Sequence, residues 1–177
     1  MDNQQERSNF NKGWLAGVID SDGCLQLVKQ TYKKRNGSGE KTCHYRPQIV
    51  FHNTNLVYMT HVAYILRKHN IAFYVEDRNE YKNFGTRDKR PYVRITIYGF
   101  KRCKKFFDNT GIQLIGKAVQ QKIMLDYIDY RLSLKYGSPV TEKDVEYYEK
   151  MKKANHQFKG EIPRDYTPYR DNQTRKI

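Results

Sequence analysis

The chain has 177 residues, enough for one domain with a sizeable core. Its 33 lysines and arginines outnumber 19 aspartates and glutamates, a formal net charge of +14, so the expected partner is a polyanion, nucleic acid first. No stretch approaches a membrane span, the start MDNQQERSNF lacks the apolar run of a signal peptide, and Cys24, Cys43 and Cys103 are widely spaced with no Cys-x-x-Cys, which argues against a membrane protein, a disulfide framework and a zinc site and for an intracellular location.

The first ten residues read as a flexible lead, and residues 11–19 as a helix with Asn11 or Ser8 as its cap. Gly13, Ala16 and Gly17 lie three and four apart and share one helix face. Glycine inside a helix costs about 1 kcal/mol against alanine, a cost that close backbone packing offsets. Trp14, Leu15, Val18 and Ile19 leave little of this helix suited to water, so a second copy across a two-fold axis is a natural partner. The helix stops at Asp20-Ser21-Asp22-Gly23, with carboxylates against the negative end of its dipole. One reading is a turn with Gly23 at positive φ. The other is a divalent cation, because Mg²⁺ takes one or two carboxylates together with water and phosphate.

Residues 24–32 then alternate as a strand, with Leu25 and Leu27 against Gln26 and Gln30. KKRNGSGEKTCH is a basic loop with two glycines. Residues 45–53 alternate again, Pro47, Ile49 and Phe51 on one side and Arg46, Gln48 and His52 on the other, which completes a long hairpin. Pro47 predicts an edge strand or an amide that points outward. NLVYMTHVAYILRKHN is a helix striped by Leu56, Met59, Val62, Ala63 and Leu66. A second hairpin pairs residues 72–81 with 91–98 around KNFGTRDKR. GFKRCKKFFDN makes a short helix, and residues 117–136 a longer one ending at Gly137. Thr141 opens a further helix, with Asp144 three residues on. Residues 160–177 are a polar tail, either a disordered end or an arm that orders on a partner.

This order predicts an α+β fold, one antiparallel sheet with helices on one face. Residues two apart share a face. The open face therefore carries Cys24, Gln26, Val28, Gln30 and Tyr32, then Arg46, Gln48, Val50 and His52, then Tyr74, Glu76, Arg78 and Glu80, then Tyr92, Arg94 and Thr96. Arginine and glutamine read base edges, lysine anchors phosphates, and a two-stranded ribbon fits the major groove. Glu76 and Glu80 are the misfits. They either accept from cytosine N4 or lie clear of the groove.

Leu15-Ala16-Gly17-Val18-Ile19-Asp20-Ser21-Asp22-Gly23 resembles the LAGLIDADG motif and departs from its name-giving letters only at Val18 and Ser21. The resemblance extends to an αββαββα layout over residues 11–136, with 137–177 as a C-terminal helical extension of a single endonuclease domain. It implies a homing endonuclease, encoded in an intron or intein, or else an intron RNA maturase. One motif copy and no internal repeat imply a homodimer joined through Gly13, Trp14, Ala16, Gly17 and Asp20. The implied machine lays a saddle-shaped sheet over a long, roughly palindromic site in double-stranded DNA. It uses Mg²⁺ or Mn²⁺ and leaves short 3′ overhangs.

By the same resemblance, Asp22 of each subunit is the metal ligand, completed by the carbonyl of Ser21. Asp20 is structural or electrostatic support. Asn55, with Asn53 as competitor, positions the water network, although Asn55 suits a helix cap equally well. Lys117, in LIGKAVQQK, stabilises the transition state or tunes the water, or makes a plain phosphate contact. The implied DNA contacts are Gln26, Val28, Gln30, Tyr32, Arg46, Gln48, His52, Tyr74, Arg78, Tyr92, Arg94 and Thr96. Lys33, Lys34 and Arg35 reach flanking phosphates. The rival readings are a maturase bound to intron RNA, a non-cleaving nucleic-acid-binding protein on the same fold, or a basic RNA-binding protein that stacks bases on tyrosines.

Overall fold

A computed structural model of the chain describes residues 2–33, 41–78 and 92–157. In chain order the elements are α1 (Asp2–Ser21), β1 (Cys24–Lys33), β2 (Lys41–Asn53), α2 (Leu56–Lys68), β3 (Tyr74–Arg78), β4 (Tyr92–Tyr98), α3 (Phe100–Thr110), α4 (Ala118–Ser133) and α5 (Glu142–Gln157). The strands form one antiparallel sheet in the order β1-β2-β4-β3. Period-two alternation sends Leu25, Leu27, Ile49, Phe51, Ile95 and Ile97 to one face, where all are buried. They meet Leu15, Val18 and Ile19 of α1, the buried stripe Met59, Val62, Ile65 and Leu66 of α2, and apolar side chains of α3, α4 and α5. This is the α+β sheet-and-helix layer that the sequence predicts. Among the described residues no helix is long and apolar enough to cross a membrane.

Several boundaries differ from the sequence expectation. Helix α1 begins at Asp2, so the first ten residues are not a flexible lead, and Asn11 and Ser8 lie inside the helix rather than capping it. Gln4, Gln5, Glu6 and Arg7 are good helix formers, and nothing breaks the run before Gly13. Strand β2 starts at Lys41, four residues before the predicted start, and it is an interior strand rather than an edge. Pro47 is tolerated there because its carbonyl accepts from the N–H of Gly99 (3.0 Å), the residue at which the chain leaves β4. The carbonyl of Gly99 is itself taken by the Cys103 N–H in the first turn of α3 (3.0 Å), so the missing proline donor deprives no ladder partner. Helix α4 ends at Ser133, before Gly137, because Leu134 is already extended.

The segment after residue 136 belongs to the core. Met151 and Ala154 of α5 are buried, and Asn155 Nδ2 donates to the Leu25 carbonyl of edge strand β1 (2.9 Å). The capping pair at the start of α5 forms as predicted. Asp144 accepts from the Thr141 N–H (2.7 Å) and hydroxyl (2.9 Å). The same buried carboxylate accepts from the Tyr127 hydroxyl (2.9 Å) and pairs with Arg131 (3.3 Å), which fastens α5 to α4. Lys34, Arg35, Glu80, both hairpin turns and the tail lie outside the described residues, as do the side chains of Lys33 and Arg78.

Candidate active site and nucleic-acid interface

The C-terminal end of α1 meets the N-terminal end of α4, and Asp20 joins them. Its Oδ2 accepts from the N–H groups of Ile115 (2.9 Å) and Gly116 (3.0 Å), and its Oδ1 from that of Lys117 (3.0 Å). Backbone donors at a helix start favour an anion, so Asp20 serves as an anchor between helices. Lys117 returns the connection. Its Nζ donates to the carbonyls of Ile19 (2.5 Å) and Asp20 (2.6 Å) and places a cation at the negative end of α1. Burial lowers the pKa of Lys117, against the opposing pull of Asp20, Cys24 and Asp22.

Gly23 does not adopt positive φ; among the described residues the glycines that do are Gly99, Gly111 and Gly137. The expected left-handed turn is replaced by a close approach. The N–H groups of Asp22 and Gly23 both donate to the Val18 carbonyl (3.0 Å each), and a Cβ on Gly23 would lie 2.7 Å from Ile19 Cα. Asp22 is thereby set just beyond the helix, exposed to solvent.

The amide that reaches Asp22 is that of Asn53, not Asn55. Asn53 Nδ2 donates to Asp22 Oδ2 (3.3 Å), and Asn53 Oδ1 accepts from the Asn55 N–H (2.8 Å). Asn55 is the N-cap of α2, where its Oδ1 accepts from the Tyr58 N–H (3.1 Å). Tyr58 closes the other side. Its hydroxyl pKa is raised by burial and by the charge of Asp22. Ser21 Oγ donates back to the Val18 carbonyl (3.3 Å). Cys24, at the head of β1, has its pKa raised by burial and pulled down by Lys117 and Arg94, so two cations face this end of the sheet.

Among the described residues no three His, Cys, Asp or Glu side chains gather as a metal cluster. One chain brings a single exposed carboxylate, Asp22, to the end of its helix. That donor fits half of a shared oxygen-ligand site better than a complete site.

The strand register gathers the polar face as the alternation predicts. Cys24, Gln26, Val28, Gln30 and Tyr32 lie opposite Val50, Gln48, Arg46, His44 and Thr42. Gln48, Val50 and His52 lie opposite Tyr98, Thr96 and Arg94. Tyr74, Glu76 and Arg78 lie opposite Thr96, Arg94 and Tyr92. Thr42, His44 and Tyr98 join this face and were not among the expected contacts, although counting by twos from Arg46 and Thr96 reaches them. Side chains on it hold one another. Gln26 Nε2 donates to Gln48 Oε1 (2.9 Å), Arg46 lies over the Tyr98 ring (5.6 Å), and Tyr32 bonds Gln30. Arg102 donates to the Tyr74 hydroxyl (2.9 Å), which brings the start of α3 to the same margin.

The residues expected at a dimer interface divide. Gly13 and Gly17 are exposed, and an added Cβ at either would meet nothing within 4 Å. Phe10 is 66% exposed one turn earlier. Trp14 instead packs on Tyr58 (5.1 Å) and His61 (4.6 Å) of its own chain, Ala16 lies against the core, and Asp20 is tied to α4.

No family model and no curated protein matches the chain. Solved structures do match its fold. The homing endonuclease I-CvuI, in complex with its target in the presence of calcium, is 16% identical with a TM-score of 0.59 over 88% of this chain and 87% of that one. The group I intron-encoded homing endonuclease I-CeuI, complexed with DNA, is 9% identical with a TM-score of 0.57 over 80% of this chain and 66% of that one. The I-LtrWI LAGLIDADG homing endonuclease, bound to target DNA, is 18% identical with a TM-score of 0.52 over 82% of this chain and 44% of that one.

Proposed function

We propose that this chain, which has the LAGLIDADG homing-endonuclease fold, is a homodimeric, divalent-metal-dependent endonuclease that cuts both strands of a specific DNA site. One observation carries the reading. The exposed carboxylate of Asp22, gripped by Asn53 and close to Lys117, stands at the margin of a polar sheet face on a chain of net charge +14. The exposed Gly13–Gly17 stripe supports a second copy, because it allows two α1 helices to approach closely. So does length: the chain spans most of I-CvuI but less than half of I-LtrWI, which leaves room there for a second unit of this size.

Asp22 of each subunit, with the Ser21 carbonyl, would hold Mg²⁺ or Mn²⁺. When bound, such an ion lowers the pKa of water and offsets charge at the scissile phosphate. Asn53 orients the Asp22 carboxylate. Lys117 keeps a positive charge beside it and holds the end of α1 in place. The polar face binds a long, roughly palindromic duplex, each subunit cuts one strand near the dyad, and short 3′ overhangs result. An intron- or intein-borne gene and an intracellular setting complete the proposal.

The test is cleavage of a plasmid library of candidate sites with Mg²⁺ and with EDTA, comparing the native chain with Asp22→Asn. Metal-dependent double-strand cuts that vanish in Asp22→Asn while binding persists are the expected result. Tight binding without a cut in either protein would turn the reading to a maturase or a non-cleaving DNA-binding protein. Binding of RNA alone would remove the endonuclease.

A further inference from the structure

An acid on a surface that binds a polyanion opposes its own function unless it has a partner in the complex. Glu76 is such an acid. It lies directly across from Arg94 in the β3–β4 register, on the polar face, and the two heads are 3.8 Å apart. That separation is longer than a hydrogen bond, so the pair aligns both groups without consuming them. Arg94 Nε has no hydrogen-bond partner among the described residues, and the Glu76 side chain is 50% exposed. The strands beneath are about 4.8 Å apart, so both heads can meet the edge of one base pair.

We infer that Arg94 and Glu76 together read one G·C base pair in each half-site of the DNA. The inference rests on the endonuclease reading above. In the major groove guanine offers the acceptors N7 and O6, which match the guanidinium fork, and its cytosine offers the N4 donor, which matches a carboxylate. An A·T pair turns the adenine N6 donor toward the arginine and the thymine O4 acceptor toward the glutamate, so both contacts fail. The reversed C·G pair sets the carboxylate against guanine acceptors. The pair therefore selects both the base pair and its orientation. Glu76 is then a specificity residue, and the carboxylate acts by rejecting alternatives as much as by binding.

The experiment binds the full chain to a randomised duplex library in EDTA, so that nothing is cut, and sequences the retained DNA. The native chain, Arg94→Lys and Glu76→Gln are compared, each first shown to melt like the native protein. The expected result is one G·C position per half-site in the native pool. Its preference falls about tenfold or more in each variant, while the other positions keep theirs. Arg94→Lys retains the charge and loses only the fork, so a simple phosphate contact would survive it. Unchanged preferences in both variants, or an even loss across all positions, overturn the inference and leave the endonuclease reading standing. Failure of the native chain to retain any duplex overturns both.

Discussion

Replacing Gly23 by alanine places a methyl carbon 2.7 Å from Ile19 Cα, 3.0 Å from its carbonyl oxygen and 3.3 Å from its carbonyl carbon. All three are backbone atoms, so no side chain can swing aside. Ile19 is buried, and its carbonyl is held by Lys117, so the end of α1 cannot give freely. Overpacking of this kind costs about 1–3 kcal/mol. In a chain of this size that lowers Tm by about 2–12 °C. Gly17→Ala, in the same helix, is the internal contrast. Nothing lies within 4 Å of its Cβ, so the isolated chain gains up to about 1 kcal/mol in helix propensity. The same methyl lies on the proposed two-fold contact and weakens the dimer. Thermal melts over a dilution series, with sedimentation to follow association, separate the two effects. A Gly23→Ala protein that melts with the native chain refutes the close-approach argument. A Gly17→Ala protein that associates as tightly as the native chain refutes the use of this stripe.

Asn53→Ala and Asn55→Ala should part company. The first releases Asp22 and lowers the cleavage rate, whereas the second loses the α2 cap at about 1 kcal/mol and still cleaves, read by parallel melts and single-turnover assays. Lys117 has its pKa lowered from 10.5 by burial, so its charge is lost at lower pH than a free lysine's. The cleavage rate should therefore fall on the alkaline side below pH 10.5, and Lys117→Arg, which stays charged, should move that fall upward in a pH–rate profile. Folding stability has the opposite sign. Between the lowered pKa and 10.5 the unfolded chain binds more protons, so stability rises with pH across that window. Asp144→Ala breaks a buried pair with Arg131 and strands the Tyr127 hydroxyl, which should cost about 3–5 kcal/mol in denaturant unfolding.

The sheet was legible in the sequence because its code is local. Period two in residues 24–32, 45–53 and 92–98 assigns each side chain to a face before any partner is known, and the register kept every assignment. The first half of α1 escaped because it is polar and carries no apolar stripe, so periodicity had nothing to report there. Pro47 misled for a related reason. Its missing donor says that one hydrogen bond is absent, and only the path of residues 99–103 shows why an interior strand can spare it. Asn53 and Asn55 stand two residues apart with the same chemistry. Which one caps and which one grips Asp22 depends on a loop geometry that no residue pattern encodes.

The division of labour between Asp20 and Asp22 is the deepest of these non-local facts. Two carboxylates beside a helix C-terminus are unfavourable on local grounds. The compensation comes from residues 97 positions away. The start of α4 gives Asp20 three backbone N–H groups, and Lys117 takes the exposed carbonyls of the α1 end. Once one acid is bound to the fold and the carbonyl ends are covered, the second can stand in solvent with a single amide partner. A motif that looks doubly acidic therefore delivers one carboxylate per chain, and a two-fold axis is the simplest way to bring a second beside it.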